Sequence, residues 1–204
     1  MLRIIVISIC LIIGVQANAQ KLNSAQADSV LNLLTKRAKT LKSQSMDFNL
    51  VKNIKGLQNP IKQEGKINLE NPDKLRYEII GSKPWKMVVN GKNVYTKAGN
   101  SPIEKSGIAM KKVRDFIFKS VNGEALIGKE FNKSLELNDQ LILVTLTPAS
   151  GILKKHVSEI IIWFDNSHDV TRFSIEQPNG NSTVYSFSNM QRNIVLKESL
   201  FLLK

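Results

Sequence analysis

The stretch Glu64–Lys92, EGKINLENPDKLRYEIIGSKPWKMVVNGK, decides how the rest of the chain is read. Gly65, Ile67 and Leu69 alternate onto one face, as do Leu75, Tyr77 and Ile79, and then Trp85, Met87 and Val89. A period of two is the signature of a strand with one buried face. The other face carries Lys66, Asn68, Glu70, Arg76, Glu78, Lys86 and Asn90, with Ile80 and Val88 as exceptions. Turn chemistry separates the three runs. Asn71-Pro72-Asp73 comes first, where proline fixes one dihedral and removes a donor, and Gly81-Ser82-Lys83-Pro84 follows. Asn90-Gly91 is a strong hairpin signal. The stretch is therefore an antiparallel meander with one apolar face.

Upstream, Met46–Ile54 is a strand with Met46, Phe48 and Leu50 on one side. It is preceded by an amphipathic helix over Ser24–Lys42, in which Ala27, Val30, Leu31, Leu34, Ala38 and Leu41 recur at three-and-four spacing. Asn23 or Ser24 can cap it, and Lys36, Arg37, Lys39 and Lys42 complement the dipole at its end. Downstream, the hairpin strand Asn93–Thr96 leads into a polar surface loop, Lys97–Gly107. A second helix is expected over about Ala109–Val121, with Met110, Val113, Ile117 and Val121 in its stripe. Strands return at Phe131–Leu137, Leu141–Leu146, Val157–Phe164, Val170–Gln177, Thr183–Met190 and Glu198–Leu203. Ten or eleven antiparallel strands with two helices predict an α+β chain that is mainly β. Its sheet would be strongly curved, or a half-open barrel, with helices closing it.

The first residues read differently. Met1-Leu2-Arg3 is a short basic region, Ile4–Val15 is apolar, and Ala17-Asn18-Ala19 supplies a small-residue cleavage site before Gln20. Twelve apolar residues are too few to span a bilayer as a helix. The expectation is a cleaved signal peptide over 1–19 and one domain over 20–204, exported to the periplasm as a monomer. The single cysteine, Cys10, lies in the apolar run, so the mature chain would hold neither a disulfide nor a thiolate metal site.

The meander also carries a resemblance. Gly65-Lys66-Ile67 through Asn71-Pro72, Leu75-Arg76-Tyr77-Glu78 and Met87-Val88-Val89-Asn90-Gly91-Lys92 follow the ordered pattern of the periplasmic lipoprotein carriers, the LolA family. Met46-Asp47-Phe48-Asn49 and Leu146-Thr147-Pro148 extend the match, which runs over the chain after its first twenty residues. The resemblance implies a carrier that takes lipoproteins from an inner-membrane ATP-driven (ABC) exporter and passes them toward an outer-membrane acceptor. It implies a lipid cavity lined by Phe48, Leu50, Ile67, Leu69, Leu75, Tyr77, Trp85, Met87 and Val89. Ile160, Ile162, Phe173, Ile175, Tyr185 and Phe187 would form the far wall, and Val30, Leu31, Leu34, Met110, Val113 and Ile117 the underside of a lid. Many members carry an arginine before the turn proline. Here it is Asn71, so either the lid would be held differently or this member does another job. Two rival roles share the scaffold: carriage of another envelope lipid or glycolipid, and a lipid-sensing regulatory module.

Other chemistries find little support. Gly123–Lys129 has phosphate-loop spacing, but Glu130 stands where a hydroxyl must bind magnesium, so a helix end and short turn are expected there. His156 and His168 fall in predicted surface loops, with neither a zinc motif nor a nucleophile elbow nearby. No enzyme, cofactor or metal is expected. Losing Arg3 with the leader lowers the formal charge of +12 to +11, and the lysines are dispersed without clustered aromatics. That argues against nucleic acid and for solvated faces attracted to acidic surfaces.

Overall fold

The computed structural model describes residues 20–107, 114, 118, 124–138, 140–149 and 151–203. The expected leader, and Met110, Val113 and Ile117 of the expected second helix, lie outside the described residues; Arg114 and Phe118 within that helix are helical.

The backbone forms one antiparallel sheet. Its strands are β1 (Gln20–Lys21), β2 (Ser43–Asn53), β3 (Ile61–Glu70), β4 (Lys74–Ile80), β5 (Trp85–Asn90), β6 (Asn93–Ala98) and β7 (Glu104–Lys105), followed by β8 (Phe131–Asn138), β9 (Leu141–Pro148), β10 (Glu159–Phe164), β11 (Val170–Glu176) and β12 (Ser182–Arg192). Their order is β1-β8-β9-β10-β11-β12-β2-β3-β4-β5-β6-β7, so the sheet curves without closing on itself. The meander is antiparallel as expected, with Ile67 opposite Tyr77 and Tyr77 opposite Met87. The two halves of the chain meet at one seam, where β12 pairs with β2 from Ser182↔Asn53 to Arg192↔Gln44.

Helix α1 (Ser24–Lys39) crosses the concave face. Asn23 caps it in a reciprocal box: its side chain accepts from the Gln26 N–H, and the Gln26 side chain accepts from the Asn23 N–H. Two hydrophobic clusters flank the centre of this face. In the first, Leu34 of α1 and Leu126 of a one-turn helix α2 (Glu124–Ile127) pack on Phe131, Leu135, Val144, Leu146, Ile160, Ile162 and Phe164. In the second, Leu41 covers Leu69, Leu75, Met87, Val89 and Val94, with Phe118 packed alongside. No described helix is long and apolar enough to cross a membrane.

Three expectations need correction. Glu198–Leu203 is not a strand. Glu198–Phe201 is a 3-10 turn folded onto the convex face. Phe201 is buried there, Arg76 donates to the Leu200 carbonyl at 3.2 Å, and Asn90 donates to that of Phe201 at 3.5 Å. This cover explains Val88, an apolar residue on the polar side of β5 that is only 1% exposed. The loop after β6 returns as the edge strand β7, with Glu104 opposite Thr96. Where a helix end and a short turn are expected, Glu124–Ile127 forms one further turn of helix, with Leu126 in the first cluster.

Candidate functional site

Between the two clusters the concave face is not filled, and a cavity of ≈ 340 Å³ remains. Its floor is the seam and the strands beside it. β11 contributes Phe173 and Ile175, β12 Tyr185 and Phe187, β2 Met46, β3 Ile67 and Leu69, and β4 Leu75 and Tyr77. Leu34, Ala38 and Leu41 overhang it from α1 and the turn after it, and Ile162, Phe164 and Val170 close one side.

The aromatic floor depends on Gly65. A Cβ there would overlap the Phe48 ring and the Glu78 carbonyl oxygen, so the missing side chain leaves the notch in which Phe48 lies. Phe48 then stacks on Tyr77 with centroids 4.9 Å apart and meets Tyr185 edge-on at 5.6 Å. Tyr185 stacks in turn on Phe187 at 6.1 Å. The Tyr77 and Tyr185 hydroxyls face each other at 3.4 Å. Burial pushes both phenols up from their ordinary value, so they stay protonated and neutral at physiological pH.

Of the residues expected to line a cavity, Ile67, Leu69, Leu75, Tyr77, Ile162, Phe173, Ile175, Tyr185 and Phe187 do so, and Leu34 faces it from the helix. The others sit elsewhere. Phe48 supports the floor from within, and Leu50 is buried farther along its strand. Met87 and Val89 are sealed in the second cluster, with Trp85 packed against it. Ile160 is sealed in the first cluster, against which Val30 and Leu31 of α1 pack.

The charged rim escaped the sequence reading. Arg37, Arg192 and His168 all border the cavity. Arg37 sits three residues after Leu34, so the stripe spacing points to it, although a cation in the last turn of a helix also complements the dipole. His168, expected at the surface, is half-buried in a tight turn where its N–H donates to the Asp165 carbonyl at 2.8 Å. The neighbouring Asp169 joins the two arginines. Arg37 Nε donates to Asp169 Oδ1 at 3.2 Å, and Nη2 donates to Oδ1 and Oδ2 at 3.0 and 3.1 Å. Arg192 Nη1 donates to the same Oδ1, and its Nη2 donates to the Arg37 carbonyl at 3.3 Å. This pins α1 to the β10–β11 turn and to β12.

Asn71 pins the chain just beyond the helix. Its N–H donates to the Lys42 carbonyl at 2.8 Å and its side-chain amide to that of Leu41 at 2.7 Å. A short neutral residue thus holds this end of the overhang, beside a buried Asn71 Oδ1 that has no partner among the described residues. No group of carboxylate, histidine and cysteine side chains able to hold a metal occurs among the described residues.

Residues 39–204 match the family model described as outer membrane lipoprotein carrier protein LolA. No curated protein matches the sequence. Among solved structures, the chain is similar to a LolA superfamily protein of Nitrosomonas europaea, at 11% identity over 87% of this chain and 97% of that one, with a TM-score of 0.47. It is also similar to LprF from Mycobacterium bovis, at 14% identity over 86% and 97% with a TM-score of 0.49. The lipoprotein LppX of Mycobacterium tuberculosis is similar at 14% identity over 86% and 99%, with a TM-score of 0.47.

Proposed function

The chain belongs to the LolA family, and from that premise we propose that it is a non-enzymatic carrier that shelters acyl chains in the trough beneath α1. The observation that supports this is the combination of an apolar floor with an apolar helix overhanging it. Each methylene exposed to water costs about 0.8 kcal/mol, so two or three long chains cost tens of kcal/mol when they cross an aqueous space unsheltered. The volume of ≈ 340 Å³ lies near the lower end of small-molecule sites. A cargo with several chains therefore requires α1 to move outward, which stretches its apolar contacts and the Arg37–Asp169 tie.

In this reading residues 1–19 are a cleaved leader, and 20–204 act as one domain in the periplasm. Lipoproteins are the first cargo, received from an inner-membrane ABC exporter and released toward the outer membrane. Another envelope lipid is the second. The test is displacement of an uncharged environment-sensitive dye. Nile red should brighten on the folded protein in a one-to-one complex and be displaced by long-chain acyl compounds. A folded protein that leaves the dye dark would overturn the reading.

A further inference from the structure

The trough is apolar, yet its rim is cationic. Arg37, Arg192 and His168 border the cavity, and no carboxylate lines it among the described residues. Asp169 and Asp165 lie behind the rim in the β10–β11 turn. Asp165 is committed there, accepting from the Asp169 N–H at 2.9 Å. Asp169 takes one edge of each guanidinium. Arg37 Nη1 and Arg192 Nε still carry N–H groups with no acceptor among the described residues. Both side chains are partly withdrawn from solvent, at 37% and 19% exposure, so an anion between them is screened less than one at an open surface.

Resting on the acyl-chain reading above, we propose that this cavity selects an anionic amphiphile: its chain lies along the Phe173, Tyr185 and Ile67 floor, and its carboxylate or phosphate is held at the rim by Arg37 and Arg192. Guanidinium groups suit this role because their planar fork of donors matches both oxyanions. Asp169 presents such a group to the same arginines in this structure. An incoming head group shares or replaces those bonds and so loosens the tie between α1 and the β10–β11 turn. Anion recognition and the release of the overhang are then one event.

Three twelve-carbon probes test this below their micelle concentrations: laurate, dodecyl phosphate and uncharged monolaurin, each displacing Nile red from the full protein. The two anions should bind at least tenfold more tightly than monolaurin, with the margin shrinking as salt is raised. The tighter anion identifies the head-group class. Arg37→Gln and Arg192→Gln should each lower the ratio of anion to monolaurin affinity several-fold. Asp169→Asn, which frees both arginines, should raise it, and this variant carries the test should either arginine variant fail to fold. Equal binding of charged and uncharged probes, or a preference untouched by all three substitutions, overturns the head-group proposal while leaving the acyl-chain reading intact. If none of the probes binds folded protein, both fall.

Discussion

Leu135, Val144, Ile162, Phe173 and Tyr185 lie side by side on one register line across five strands, yet the line changes character partway along. Leu135 and Val144 are 2% and 0% exposed, packed in the cluster beneath α1, and Ile162, 8% exposed, belongs to that cluster and closes one side of the cavity. Phe173 and Tyr185 are only half-buried and border the cavity. Strand geometry and side-chain chemistry are continuous across this boundary. What differs is the cover above. The same apolar face becomes core where a helix seats on it and a binding trough where the helix only overhangs.

The largest test of that contrast pairs two truncations. Leu135→Ala, under the seated helix, should cost about 2–5 kcal/mol in urea unfolding, because it empties a filled space. Phe173→Ala removes a bulkier group from a surface already open, so it should cost clearly less while weakening Nile red binding several-fold. Equal stability losses, or dye binding lost in the first variant instead of the second, would break the distinction.

A smaller effect is expected at Gly65. Gly65→Ala should destabilise by about 1–3 kcal/mol, the usual range for overpacking. Phe48→Leu in that background should recover part of the loss but not all, because the Glu78 carbonyl remains in the way. Full recovery would show that the ring alone fills the notch.

The smallest effect concerns the tyrosine pair. Tyr77→Phe or Tyr185→Phe should change stability at neutral pH by no more than about 1 kcal/mol, the scale of one net hydrogen bond. Alkali separates them from the parent. Both phenols have folded pKa values above the unfolded value near 10, so the folded chain holds those protons more tightly. Stability is complete below about pH 10 and falls as pH rises beyond it, by up to about 1.4 kcal/mol per unit for each tyrosine. In the double phenylalanine variant, unfolding midpoints compared at pH 9 and pH 11 should fall less than in the parent. Parallel losses would mean that the trough floor is already wet.

This contrast also explains what could be read in the chain and what could not. Alternation and turn chemistry reveal Ile67, Leu75, Tyr77 and Met87 as one face, and that face is observed, with Ile67 opposite Tyr77 and Tyr77 opposite Met87. Alternation cannot say that Tyr77 borders a cavity while Met87 is sealed, because Leu41 and Phe118 arrive from distant segments. Val88 gives the same lesson on the convex side, where the cover is Phe201, more than a hundred residues away. Arg37 was hidden by having two roles. A cation in the last turn of a helix already has a reason to be there, and its ion pair with Asp169 spans 132 positions.

The β2–β12 seam has a consequence for how the protein forms. β2 through β6 pair with their neighbours in sequence, a local topology that assembles quickly once the segment exists. Its eleven-residue strand β2 then waits with one edge open until residues 182–192 arrive, and an edge of that length invites pairing with other chains. The floor of the trough straddles this seam, so it is completed only when the two ends of the fold meet. A nascent or truncated chain lacking β12 would keep half of the apolar floor beside an unpaired strand, which is a template for aggregation. Any cell that makes this protein must keep the chain from others of its kind during that interval.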